Sequence, residues 1–199
     1  MNKNHRPTEE DLLKPEYMIL MYAHGAFPMA DEDKKINWFL PEKRTVIPLD
    51  DFNFPRSLKK FYYDSGFIYK VDSSTIEVIR NCADRETTWI SEELIEAYKG
   101  LQNLGHLHSV EVYQNENLVG GLYGVSYKGA FFGESMFSNV SQASKCALIK
   151  LIGHLRERNF VLLDVQYQTD HLKMFGAVEI DFDDFQNRLL QSNSVDTTF

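Results

Sequence analysis

The sequence predicts an α/β layer fold built around one main domain, and three observations carry that expectation. Residues 109–113 and 118–125 are apolar runs that flank Gln114-Asn115-Glu116-Asn117, which is hairpin chemistry, and residues 129–133 supply a third strand of the same meander. From residue 141 onward helical and extended patterns alternate, an order that layers helices on a sheet. The chain has 199 residues, 43% hydrophobic and 13% aromatic, which is enough apolar material for one domain, or one domain with a small appendage.

The elements follow in order. Residues 15–24 read as a short helix with Pro15 in its first turn, the apolar stripe Met18, Leu20, Met21 and Tyr22, and Gly25 placed to end it. Residues 37–48 are extended and interrupted by prolines, with Trp38, Phe39, Val46 and Ile47 suited to an edge strand or a lining segment. Residues 55–63, 73–83 and 92–103 carry the spacing of amphipathic helices, with Asp72 and Ser91 as N-cap candidates. Beyond the meander come a long helix at 141–158, a buried strand at 160–166, a short helix at 168–175, a strand at 178–180 and a capped helix at 181–190. The polar residues 191–199 are expected to be a frayed, flexible tail. There is no internal repeat, so any boundary falls near residues 48–55, dividing a small N-terminal subdomain (1–50) from the main domain (51–190).

The bulk chemistry narrows the function classes. A net charge of -8 argues against gripping long nucleic acid through a broad basic face, although the clusters at 43–44, 56–60 and 145–158 leave room for a local phosphate contact. The longest apolar runs are too short to span a bilayer, and residues 1–11 are polar without a signal-peptide core. Cys82 and Cys146 have no CxxC spacing, which fits a reducing cytoplasm and no structural zinc. His106 and His108 lack the acidic or thiol partners a metal site needs, so no metal is expected.

Two places pose a polar problem inside apolar surroundings. In the strand Phe160-Val161-Leu162-Leu163-Asp164-Val165-Gln166, alternation puts Asp164 and Gln166 on one face and Val161, Leu163 and Val165 on the other. A buried carboxylate needs a cation, donors or a ligand, so Asp164 is either a structural cap or part of a site. Glu134 lies in Phe131-Phe132-Gly133-Glu134-Ser135-Met136-Phe137, a carboxylate among three phenylalanines and a methionine. It reads either as a core glutamate paired with a basic residue, or as the anchor of a pocket for an ammonium group carrying a hydrophobic side chain, as in an amino acid or its ester. Val119-Gly120-Gly121-Leu122-Tyr123-Gly124 matches no phosphate-binding fingerprint and points to close packing or a bulge. Ser135 and Ser144 lack the context of a hydrolase nucleophile, and Trp38 and Trp89 suit either core packing or base stacking.

Ten segments also resemble one family in order and at similar spacing. They are Tyr22-Ala23-His24-Gly25-Ala26-Phe27-Pro28, Trp38-Phe39-Leu40-Pro41 with Arg44, Thr88-Trp89-Ile90, His108-Ser109-Val110-Glu111-Val112, Gly120-Gly121-Leu122-Tyr123-Gly124, Gly133-Glu134-Ser135-Met136-Phe137, Ala143-Ser144-Lys145, Asp164-Val165-Gln166, His171-Leu172 and Gly176-Ala177. The family is the leucyl/phenylalanyl-tRNA-protein transferases, and the match covers about residues 17–190. The resemblance implies an acetyltransferase-like (GNAT-like) fold with a small N-terminal domain. It also implies transfer of Leu, Phe or Met from aminoacyl-tRNA to proteins with N-terminal Arg or Lys, in N-degron protein degradation. An aminoacyl ester is already activated, so this chemistry needs no cofactor.

By that resemblance Asp164 and Gln166 are catalytic, Gln166 accepting a hydrogen bond from the attacking amine and Asp164 orienting and polarising it. Glu134 anchors the aminoacyl ammonium, and Phe131, Met136, Leu122 and Leu163 form the side-chain slot. Trp89 stacks on the terminal adenine, Trp38 and Ser144 join the substrate site, and Arg44, Lys59 and Lys145 contact tRNA phosphate. The partners implied are aminoacyl-tRNA and proteins with a basic N-terminus, for a cytoplasmic monomer that touches no membrane. The chain departs from the family at Met29, where Trp is usual, at Phe39-Leu40 for Trp-Ser, and at Leu122 for Met. Those departures keep open an arginyl transferase acting on N-terminal Asp or Glu. A small-molecule N-acyltransferase would need a pyrophosphate loop that residues 131–143 lack, and a non-catalytic adaptor would bind basic N-termini without transfer.

Overall fold

The protein is described by a computed structural model covering Thr8 and residues 11–199. Most of the polar stretch 1–11 therefore lies outside the described residues. The elements run α1 (Pro15–Ala23), β1 (Phe27–Ala30), β2 (Ile36–Phe39), β3 (Lys43–Val46), α2 (Arg56–Asp64), β4 (Ile68–Val71), α3 (Thr75–Ala83) and α4 (Glu92–Asn103). They continue with β5 (Leu107–Gln114), β6 (Asn117–Tyr127), β7 (Ala130–Ser138), α5 (Ala143–Glu157), β8 (Leu162–Gln166), α6 (Asp170–Lys173), β9 (Val178–Asp181) and α7 (Phe182–Asn193). Seven strands form one mixed sheet in the order β4-β5-β6-β7-β8-β3-β9, in which only β7 and β8 run parallel, while β1 and β2 make a separate hairpin.

Each sheet face carries its own core. Side chains of α5, α2 and the segment around α6 pack on one face, and α1, α3, α4 and α7 cover the other. The α/β layering is thus the one the sequence predicts. The hairpin prediction is borne out by Asn115 and Glu116, both left-handed at φ 49° and 67°, a two-residue loop whose twist suits paired strands. Gly120 and Gly124 are required by close approach: a Cβ on Gly120 would meet that of Ala143 at 2.4 Å, and one on Gly124 would meet the Phe132 carbonyl at 2.3 Å. No described helix is long and apolar enough to cross a membrane.

Several expectations are corrected. β3, expected as an edge strand or lining segment, is internal, antiparallel to both β8 and β9. Its sequence Lys43-Arg44-Thr45-Val46 hides this, because Arg44 and Thr45 are buried polar residues whose partners lie far along the chain. Val46 at the end of β3 belongs to one core, and Ile47 and Leu49 just beyond it belong to the other. β4 was not anticipated, being a short sheet-edge strand with two exposed side chains among its four. Ser91 caps α4 as expected, but Asp72 caps no helix. Asp72 is left-handed and accepts the Ser109 amide and a contact from His108, while Glu111 Oε1 accepts the amides of Ser73 and Ser74 ahead of α3.

Residues 191–199, expected as a tail, make contacts with the body of the protein. Helix α7 runs to Asn193, Asp196 pairs with Lys128, and the Thr197 hydroxyl donates to the Arg158 carbonyl. Phe199 stacks on His108 with ring centroids 4.2 Å apart and lies against His154 and Phe131. This half-buried ring, which also meets Phe160, gives a segment of polar composition an apolar anchor.

Candidate active site

The cleft follows from two irregularities in adjacent strands. In β7 the pairing with β6 shifts from Tyr123↔Ser135 to Gly124↔Gly133, leaving Glu134 as the extra residue. In β8 the pairing with β3 shifts from Thr45↔Gln166 to Val46↔Asp164, leaving Val165 extra. Bulges bend a strand and re-aim its side chains, and here they coincide with the point where β7 and β8 part company. Parallel pairing of β7 with β8 covers only Ala130–Phe132 of β7; beyond it the strands enclose a cleft of about 630 Å³, within the range of small-molecule sites.

Glu134 forms the polar floor. It is 8% exposed, and its Oε1 accepts from the Tyr22 hydroxyl at 2.9 Å and from Gln166 Nε2 at 3.1 Å. Its Oε2 accepts from the Tyr98 hydroxyl at 3.0 Å. Burial raises the Glu134 pKa from 4.5 to about 7, against the lowering effect of the two tyrosines. The Tyr22 and Tyr98 hydroxyls are 3.2 Å apart. With Glu134 ionised both donate to it; with Glu134 protonated, the carboxyl donates to one tyrosine, which is then free to donate to the other. The triad of oxygens accommodates either state. Burial and the neighbouring Glu134 charge push both phenols well above their usual range, so both keep their protons.

Asp164 and Gln166 are brought together with Glu134, as the alternation of their strand predicts, but Asp164 does not face the Gln166 side chain. Its two oxygens take Arg44 Nε at 2.9 Å and Arg44 Nη2 at 2.7 Å, and Oδ1 also accepts the Gln166 backbone amide at 3.0 Å. Orientation of Gln166 by Asp164 thus runs through the main chain, and polarisation of the side-chain amide by Asp164 is corrected. Gln166 Nε2 is committed to Glu134, which leaves its carbonyl oxygen with no hydrogen bond among the described residues. That oxygen is an acceptor at the cleft wall.

The other sequence-predicted residues divide. Leu122, Met136, Leu163, Trp89 and Ser144 line the cleft. Phe131 is fully buried and supports the slot from below without lining it, because its ring is used by the core and by Phe199. Trp38 packs edge-on against Tyr22, centroids 5.9 Å apart, and is not on the cleft; it steadies a Glu134 donor instead of a base. Arg44 cannot reach a phosphate: it is 1% exposed, with all its contacts internal. Lys59 is exposed on α2, away from the lining, and Lys145 lies in the first turn of α5 near the cleft residue His171.

Sequence reading missed Tyr22 and Tyr98 as donors, Leu148 and Leu151 as slot walls, and Arg85 and His171 as cleft groups. The i, i+3 pair Leu148 and Leu151 was visible as helix stripe, and a buried tyrosine always needs a hydroxyl partner. Arg85 donates to the Met136 carbonyl and the Ser135 hydroxyl, fixing the far end of the cleft wall. The His171 pKa is lowered by burial and by Lys145, so its ring is neutral near pH 7. Among the described residues no three His, Cys, Asp or Glu side chains form a metal-holding group. Ser126, His108 and Asp72 are linked in line, at 3.0 and 2.7 Å, but the serine is buried and Phe199 covers the ring, so the array serves packing.

Fold and site together define an α/β protein with a mixed sheet, holding an amide-carboxylate pair at the head of an apolar slot. Among solved structures the chain is similar to FemX, with a TM-score of 0.56 at 10% identity over 79% of this chain and 63% of that one, a likeness of fold. The family description "Leucyl/phenylalanyl-tRNA protein transferase" matches residues 46–190, and that of the family's N-terminal domain matches residues 11–42. Proteins named leucyl/phenylalanyl-tRNA–protein transferase from Salinibacter ruber and Rubrobacter xylanophilus are each 45% identical, over 93% and 94% of this chain and 82% and 98% of their own lengths. One from Rhodopseudomonas palustris is 48% identical over 84% of this chain and 76% of its own. The chain belongs to the leucyl/phenylalanyl-tRNA protein transferase family.

Proposed function

We propose that this chain moves Leu, Phe or Met from aminoacyl-tRNA onto the α-amine of proteins beginning with Arg or Lys, in the cytoplasm and as a monomer, marking them for N-degron degradation. The observation that carries the reading is the Glu134–Gln166 pair at the head of the slot walled by Leu122, Met136, Leu148, Leu151 and Leu163. Glu134 receives the donor's ammonium, and ion pairing there pulls its raised pKa back down. The donor's side chain enters the slot, and the adenine rests on Trp89. The body follows the GNAT-like plan, with Lys145 near the cleft and Lys59 on α2 as phosphate contacts.

The reaction needs little from the protein beyond placement. The acceptor α-amine has a pKa near 8, so roughly a tenth is neutral at pH 7. Its nitrogen attacks the ester carbonyl, a C–N bond forms, the C–O bond to the ribose breaks, and the amine's proton ends on the leaving hydroxyl. The free carbonyl oxygen of Gln166 accepts an N–H of the attacking amine, directing its lone pair at the ester. Holding both reactants in attack geometry supplies about 7 to 11 kcal/mol.

An arginine donor is disfavoured by the slot itself, whose five walls are apolar; the only carboxylates on the cleft among the described residues are Glu134 and Asp84. Burying a guanidinium there without a partner is costly. The test is incubation with individually radiolabelled aminoacyl-tRNAs and peptides beginning with Arg, Lys, Asp or Glu. Label passing from Leu-tRNA or Phe-tRNA to Arg and Lys peptides is expected; label passing only from Arg-tRNA to Asp or Glu peptides would overturn the assignment.

A further inference from the structure

We propose that Arg44 is a positioning residue for the transfer reaction, clamping Asp164 so that its carboxylate locks the strained backbone of Gln166 and aims the amide. The inference rests on the reading of Gln166 as the group that receives the attacking amine.

Gln166 ends β8 in a left-handed conformation, φ 60°, which is costly for a residue with a side chain. The Tyr167 amide donates to the Val165 carbonyl at 2.8 Å, closing a three-residue turn with positive φ at its centre, the rare and strained form. Such a turn persists only if its surroundings over-determine it. The Gln166 amide proton is held by Asp164 Oδ1, and Asp164 in turn is gripped through both oxygens by Arg44 in a bidentate, charge-assisted pair.

Arg44 is itself immobilised. Its Nη1 donates to the Gly25 carbonyl at 2.7 Å, and its guanidinium carbon lies 4.7 Å from the Phe27 ring centroid and 4.5 Å from that of Phe185. One planar cation thus ties the end of α1, the hairpin strand β1, helix α7 and the internal strand β3 to the end of β8. Lysine has neither the fork nor the flat face to do this. A buried ion pair is weak evidence for stability, since a hydrophobic pair of similar volume often serves as well, so a positional role separates cleanly from a scaffold role.

The experiment compares wild-type protein, Arg44→Ala, Arg44→Lys and the double variant Arg44→Met/Asp164→Leu, each measured for thermal midpoint, kcat and the KM for aminoacyl-tRNA. The double variant is expected to fold with a midpoint close to wild type and to lose roughly 10²-fold in kcat, the scale of a 1 Å misplacement, with KM nearly unchanged. Added guanidinium ion is expected to raise the kcat of Arg44→Ala by filling the space between the two phenylalanines, and Arg44→Lys is expected to stay low. Wild-type kcat in the double variant would sink the proposal. So would an unfolded double variant, since the pair would then belong to the scaffold, or a rise in KM with kcat kept. Absence of transfer by the wild-type protein is a different failure, that of the functional reading itself.

Discussion

The floor of the cleft and its rim are built on opposite principles. The floor consists of Glu134, Asp164, Gln166, Arg44, Tyr22 and Tyr98, all buried, drawn from interior strands and packed helices, and joined by hydrogen bonds between 2.7 and 3.2 Å. The rim consists of Met29, Asn81, Asp84, Arg85 and Trp89, which come from a small hairpin and from the end of α3 and the segment after it. On the proposed function, the floor groups that must hold one geometry for bond making are over-determined, whereas the rim groups proposed to meet the nucleotide come from a hairpin and a loop. The floor should therefore tolerate almost no change and the rim a good deal.

The sharpest break in this contrast would come from half of the buried ion pair. Arg44→Ala or Asp164→Ala leaves an uncompensated charge among Phe27, Phe185 and Val46, and is expected to cost about 3–5 kcal/mol of unfolding free energy. Urea denaturation measures it. A loss below about 1 kcal/mol, the value of an exposed pair, would mean that the floor is as loosely held as the rim.

Gln166→Ala should behave differently, because it deletes a side chain with one hydrogen bond and leaves the Asp164-to-backbone contact intact. Stability is expected to fall by about 1 kcal/mol and kcat by roughly 10²-fold or more. Glu134 then gives the floor a pH signature. With its pKa at about 7, affinity for a non-hydrolysable aminoacyl-adenosine should fall as pH drops below 7 and the ammonium loses its anionic partner. Stability runs the other way: a raised folded pKa favours the protonated fold, so this contribution is complete below the ordinary value of 4.5 and is lost as pH rises through about 7. Glu134→Gln should abolish both slopes. Tyr98→Phe, by removing a donor to the carboxylate, should move the affinity limb to higher pH; a limb unmoved by that change would detach it from Glu134.

The same contrast explains what could be read from the sequence. Glu134, Asp164 and Gln166 stood out because a carboxylate or amide amid Phe, Leu and Val violates the apolar pattern of its strand. Arg44 did not, because an arginine between Lys43 and Thr45 looks like surface, and its partner is 120 residues away. The internal position of β3 was lost for the same reason. The meander, the long helix and the hairpin loop were legible from period and turn chemistry. The contacts of Phe199 with His108 and Phe131 could not be read from the polar composition of residues 191–199, because they depend on rings far along the chain.

The gentlest test concerns the rim at Met29. β1 is tied to the loop carrying Trp89 by the Ala30 amide, which donates to the Trp89 carbonyl at 3.2 Å, so Met29 and Trp89 line the cleft together. An adenine placed on the Trp89 face, as proposed, would thus be flanked by the flexible thioether of Met29. Methionine offers dispersion and sulfur contacts but no rigid flat face. Met29→Trp should supply one, and base stacking on an aromatic side chain is worth roughly 1–3 kcal/mol per base. Refitting a half-buried hairpin absorbs part of that, so the expected gain is a few-fold drop in the KM for aminoacyl-tRNA, with kcat and thermal midpoint unchanged. Trp89→Ala should raise the same KM by about tenfold, the lower half of that stacking range. A Met29→Trp variant that instead changes kcat would show that the hairpin reaches the reaction centre, a result that would erase the distinction between a fixed floor and an adjustable rim.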